Sequence, residues 1–144
     1  MVDGYFCGVI PYNPTEKTVF LQLRDGKTVF YPHYWTSFGG SSEPEDNNDP
    51  VATALREVEE EAGHRFTATD LKLLRENVGA KTGRMRHIFY VECELPKSAF
   101  TLGEGEDFDW HPLKTVLDLK LSPETYKDLA QLQGLLSDQP APHS

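Results

Sequence analysis

ALREVEEEAG, residues 54–63, gathers Glu57, Glu59, Glu60 and Glu61 within five positions of a chain whose formal net charge is already −9. Like charges one turn apart on a helix repel by roughly 0.2–0.5 kcal/mol per pair, so the cluster calls for something positive beside it. The stretch reads as the end of a helix. Asp49 is a good N-cap and Pro50 a good first residue. Val51, Leu55, Val58 and Ala62 recur at helical spacing, and Gly63 is a C-terminal stop. With about 100° per residue and Glu57 at zero, Glu60 falls near −60° and Glu61 near +40°. The apolar residues cluster between roughly 100° and 160°, to one side of that acidic face. Glu59 points away, near 200° by the same rule, and reads as solvent-facing charge. Carboxylates at i, i+3 and i+4 can reach one hard cation such as Mg²⁺, which takes oxygen ligands and shares its site with substrate phosphates. Arg56 adjoins the cluster and is placed to hold one carboxylate in its binding pose.

Working outward, the helix follows a polar loop, SSEPEDNNDP (41–50), and before it an aromatic stretch, VFYPHYWTSF (29–38), that leads as a short strand into Gly39-Gly40. Residues 4–12 and 18–24 read as strands around an NPTEK turn, and 71–78 and 85–95 as strands around a GAKTGR loop. LGEGEDFDWHP (102–112) is an acidic, glycine-punctuated loop running into a strand. Ser122-Pro123 opens a second helix with Tyr126, Leu129, Leu132 and Leu136 as its apolar stripe. No repeat or linker interrupts the 144 residues, so one α/β domain over 1–137 with a flexible polar tail at 138–144 is expected.

The acidic balance argues against a nucleic-acid polymer as partner, because tracking phosphates needs a basic face. A phosphate-bearing small molecule would need a divalent cation between itself and this protein. Cys7 and Cys93, the only cysteines, sit in apolar strand-like stretches and read as buried, reduced thiols. No stretch is long and apolar enough to cross a membrane and no signal-peptide pattern opens the chain, so the cytoplasm is the expected compartment.

Arg56-Glu57-Val58, Glu59, Glu60-Glu61, Ala62 and Gly63, preceded by Gly39-Gly40, resemble the Nudix hydrolases, the MutT-like pyrophosphohydrolases, whose signature is GX5EX7REUXEEXGU with U a bulky aliphatic. Every specified position from the arginine to the glycine matches. Fifteen residues separate Gly40 from Arg56, where the pattern has thirteen, so the loop carries two extra residues, placed within Glu45-Asp46-Asn47-Asn48. Asp46 or Glu45 stands in for the first signature glutamate, and His64 for the final aliphatic. The resemblance implies an α/β/α sandwich with a mixed sheet. It implies hydrolysis of a nucleoside diphosphate linked to another group, with Glu57, Glu60, Glu61 and a carbonyl of Gly40 or Gly39 holding Mg²⁺ or Mn²⁺. Glu57 and Glu104 are alternatives for the residue that activates water, with Glu106 a neighbour of the latter. A catalytically weak nucleotide-binding or regulatory domain on the same scaffold is the alternative. Among residues that could meet substrate, Tyr34 is a stacking surface beside Tyr31, His33 and Trp35, and Arg84 and Arg86 are phosphate partners. Nucleotide sugar, dinucleoside polyphosphate, ADP-ribose and modified nucleoside triphosphate all stay open, as do monomer and homodimer.

Overall fold

Period-2 alternation along the strands sorts the apolar side chains into two cores, one on each face of one sheet. The computed structural model describes residues 4–27, 30–103 and 105–137. In β1 (Tyr5–Asn13), Cys7 and Val9 enter one core while Ile10 and Tyr12 enter the other. β2 (Thr18–Leu23) divides likewise, with Phe20 on the first side and Val19 and Leu21 on the second. The remaining strands are β3 (Trp35–Thr36), β4 (Phe38–Ser41), β5 (Lys72–Val78), β6 (Met85–Glu92) and β7 (Asp107–Pro112).

Among the described residues seven strands make one mixed sheet with the path β3-β2-β1-β6-β5; β4 is added on β1 and β7 on β2. β6 runs parallel to β1 along its length, from Tyr5↔Met85 to Tyr12↔Glu92. The other flank of β1 is shared. β4 takes its first part, Phe6 to Val9, and β2 takes its end, Tyr12 and Asn13. β2 and β4 therefore diverge, and the fork between them opens a cleft.

Helix α1 (Pro50–Ala62) closes the first core with Ala54, Val58 and Ala62. Its ends are as the sequence predicts: Asp49 accepts from the Val51 N–H, and Gly63 caps the C-terminus at φ 70°. Helix α2 (Pro123–Ser137) and a 3-10 turn at Leu113–Asp118 close the second core with Leu129, Leu132, Leu113 and Val116. The fold is an α/β/α sandwich.

Two local expectations need correction. Among the described residues of the aromatic stretch, strand is limited to β3 and to Phe38, which opens β4, and Gly39-Gly40 lie inside β4, paired with β1. The stripe of α2 is also misplaced at its start: Tyr126 is exposed, and Thr125 and Asp128 are buried instead. The cause lies under the helix. Arg75 and Arg86 sit there and require a carboxylate, which Asp128 supplies. The expected tail at 138–144 lies outside the described residues.

Candidate active site

The C-terminal half of α1 meets β4 at the cleft, and each acidic side chain finds a different partner there. Glu61 is only 6% exposed. Its Oε1 accepts from the Gly39 N–H at 2.6 Å and its Oε2 from the Gln22 Nε2 at 2.7 Å. Glu57 lies flush against Gly40: a Cβ there would fall 2.4 Å from Glu57 Oε2, so only glycine lets the carboxylate come this close. Glu60 is exposed, and Glu59 pairs with Arg65 outside the site.

Arg56 is the positive charge the acidic run calls for. Its Nη1 donates to Glu57 Oε1 at 2.8 Å and to Glu60 Oε1 at 3.3 Å. Its Nε and Nη2 grip Asp46 Oδ1 and Oδ2 at 3.0 and 2.9 Å, and Nη2 also reaches the Ser41 carbonyl. Asp46 is buried, and further accepts from the Glu43 N–H and the Thr53 hydroxyl. The guanidinium donating to it holds the Asp46 carboxyl well below the usual carboxylate range, against the opposing effect of burial. Asp46, rather than Glu45, is thus the acidic partner of Arg56. Next to it Asn47 and Asn48 both take left-handed conformations, at φ 54° and 58°, and turn the chain into Asp49.

The cleft, about 560 Å³, is lined by Phe6, Gln22, Arg24, Gly39, Ser41 and Glu61 among others. Arg84 donates to the hydroxyl of one of these residues, Ser41, at 3.0 Å. Two predicted substrate residues lie elsewhere. Arg86 is buried and donates to both oxygens of Asp128, at 3.1 and 2.6 Å, so it braces α2 instead of meeting a phosphate. Tyr34 packs on Tyr31 and under Lys120 and is not part of the cleft wall formed by the described residues. Glu104 lies outside the described residues. Gln22 and Phe6 escape a sequence reading focused on charge. The signal for Gln22 is a lone amide in an otherwise apolar strand.

Cys7 and Cys93 are free and buried, and burial raises both thiols, that of Cys7 to about 12, which favours the protonated form at neutral pH.

Among the described residues no three Asp, Glu, His or Cys side chains are gathered as a ready-made metal cage. The donors are nevertheless all oxygen, the chemistry of a hard divalent ion. A carbonyl of the glycine pair, that of Gly39 or of Gly40, would join them. Carboxylates of Glu57, Glu60 and Glu61 with this carbonyl fit Mg²⁺ or Mn²⁺ by donor type.

A family model described as the NUDIX domain matches residues 6–132. The chain belongs to the Nudix hydrolase family. Solved structures agree on the Nudix fold. The Escherichia coli ORF135 protein is 19% identical with a TM-score of 0.74, covering 99% of this chain and 96% of that one. The NUDIX domain of Shewanella oneidensis NrtR, complexed with ADP ribose, is 16% identical with a TM-score of 0.74 over 94% of this chain and 88% of that one. A Caenorhabditis elegans Ap4A hydrolase is 18% identical with a TM-score of 0.66 over 93% and 99%. No curated protein sequence matches the chain. Among the described residues no helix is long and apolar enough to cross a membrane.

Proposed function

We propose that this Nudix domain hydrolyses, with Mg²⁺ or Mn²⁺, the pyrophosphate bond of a nucleoside diphosphate linked to another group. The observation that carries this reading is the seating of Glu57 and Glu61 on the Gly39-Gly40 backbone at the edge of the cleft. Glu57, Glu60, Glu61 and a carbonyl of Gly39 or Gly40 would hold the ion. When bound, it lowers the pKa of a water and offsets negative charge on the diphosphate. The chain's own residues supply the rest. Arg56 fixes which way Glu57 faces by bonding its Oε1. Glu57 Oε2 is then the oxygen positioned to take a proton from the attacking water. Glu104 is the alternative base. Arg84, bonded to the Ser41 hydroxyl, would meet a phosphate oxygen, and the half-buried ring of Phe6 would give an apolar wall to the group that leaves with the other phosphate. Two of the structural neighbours above are named for small nucleotide derivatives, which supports a ligand of that class.

The test is a panel of nucleoside diphosphate derivatives incubated with the chain and Mg²⁺ or Mn²⁺, each product being quantified. A nucleoside monophosphate among the products is expected. Full turnover of a confirmed substrate by both Glu60→Gln and Glu61→Gln would overturn the reading. The lengthened first half of the signature, two residues beyond the pattern, favours a second reading, a nucleotide-binding domain with weak chemistry. Tight calorimetric binding of a nucleoside diphosphate derivative, with no product after hours of incubation, would select it.

A further inference from the structure

We propose that Gln22 is a positioning residue for the cation site: its side-chain amide orients Glu61 and so sets the affinity of the protein for a divalent ion. The inference rests on the metal-dependent reading above. Gln22 is 5% exposed and follows Val19, Phe20 and Leu21, all fully buried. An amide at such a place is costly unless its donors and acceptor are used. Its Nε2 donates to Glu61 Oε2 at 2.7 Å and to the Ser37 carbonyl at 3.4 Å. Two acceptors on one side fix which end of the amide is nitrogen. The other end abuts the loop before β7, where a Cβ on Gly105 would lie 3.3 Å from Gln22 Oε1. That loop is itself tied to β2 by the Glu106 N–H donating to the Leu23 carbonyl at 2.8 Å. The amide nitrogen is thus held between two acceptors, and the side chain has one orientation.

The choice of an amide matters for Glu61. Its two oxygens are each oriented by a neutral donor, the Gly39 N–H from β4 and the Gln22 amide from β2. Neutral donors fix a carboxylate without cancelling its charge. Asp46 is the contrast within the same site: a guanidinium takes both its oxygens. A carboxylate oxygen has more than one lone pair, so Glu61 can accept from Gln22 or Gly39 and still face a cation. Gln22 and Glu61 both reach the cleft wall, so this hydrogen bond belongs to the site as well as to the core.

The experiment is calorimetric titration of Mn²⁺ into the wild-type chain, Gln22→Met and Gln22→Asn, paired with thermal melts with and without Mn²⁺. Met keeps the length and removes the amide; Asn keeps an amide that falls short of Glu61. In each variant the Kd for Mn²⁺ is expected to rise at least about tenfold. The Mn²⁺-induced increase in Tm shrinks accordingly, whatever the Tm of the metal-free protein. A merely structural amide would lower the metal-free Tm and leave the Mn²⁺ Kd alone. Wild-type Mn²⁺ affinity in either folded variant overturns this proposal and leaves the reading beneath it standing. Failure of the wild-type chain to bind Mn²⁺ overturns both.

Discussion

Asp46 and Arg56 show how a single buried carboxylate can organise an acidic site. Asp46 accepts from four donors: two nitrogens of Arg56, the Glu43 N–H and the Thr53 hydroxyl. Removing it with Asp46→Ala leaves the guanidinium without its main partner but still bonded to Glu57, Glu60 and Ser41, a change that costs about 1–3 kcal/mol. Urea denaturation at pH 7 is the measurement. The same group makes a pH prediction. Its folded pKa lies below the ordinary aspartate value of 3.8, so its contribution is complete above that value. It is lost as pH falls below about 4 toward the depressed folded pKa, because the unfolded chain then binds the proton first. The urea midpoint of the wild type should therefore drop between pH 5 and pH 3, and Asp46→Asn should flatten that acid limb. The two glycines beside the site separate structure from chemistry. A Cβ on Gly39 would fall 2.2 Å from the Cys7 carbonyl, in the backbone of the neighbouring strand, whereas one on Gly40 meets only the end of the Glu57 side chain. Gly39→Ala should lower Tm sharply. Gly40→Ala should stay folded and lose turnover, by about a hundredfold if Glu57 is pushed from its seat; kcat compared with Tm distinguishes the two.

At the scale of elements, α1 was legible and its surroundings were not. The helix advertises itself through local chemistry: Asp49 caps it, Pro50 starts it and Gly63, at φ 70°, ends it. All of that is written within fifteen consecutive residues. The carboxylate face of α1 could be placed from helical geometry alone. What each carboxylate touches could not, because Gly39 and Gln22 come from other strands 22 and 39 residues away. The loop before α1 illustrates the same limit. Its two extra residues are visible by counting, yet only the backbone shows Asn47 and Asn48 both left-handed. Asparagine tolerates that conformation better than other side chains with a Cβ, and glycine better still. Asn47→Val and Asn48→Val should each cost about 1–2 kcal/mol, while the two glycine substitutions should be near neutral; thermal denaturation of the four variants decides. If the valine variants melt with the wild type, the loop does not need its left-handed turn.

For the whole molecule, the decisive long-range device is the charge network that docks α2 on the sheet. Asp128 is fully buried and accepts from Arg75 at 2.7 Å and from Arg86 at 3.1 and 2.6 Å. Glu124 and Asn77 extend it at the edge: Asn77 donates to Glu124, and Arg86 donates to both. None of this is readable from the chain, since Arg86 and Asp128 stand 42 residues apart and a carboxylate on a helix face ordinarily reads as solvated. The network also separates two neighbouring arginines: Arg86 is taken by Asp128, while Arg84, two residues earlier, bonds the Ser41 hydroxyl. Burying such charges is not strongly stabilising in itself, but breaking the set is expensive, because what remains is an unpaired charge in the interior. Asp128→Leu should therefore destabilise by about 3–5 kcal/mol, as it strands two guanidinium groups. Pairing it with Arg86→Met and Arg75→Leu removes the stranded charges and lets apolar packing replace them. The triple variant should be more stable than Asp128→Leu alone, and urea denaturation of the full set of combinations measures the coupling. Additive losses across that set would mean that α2 is held by Leu129 and Leu132 alone and that the charges beneath it are incidental.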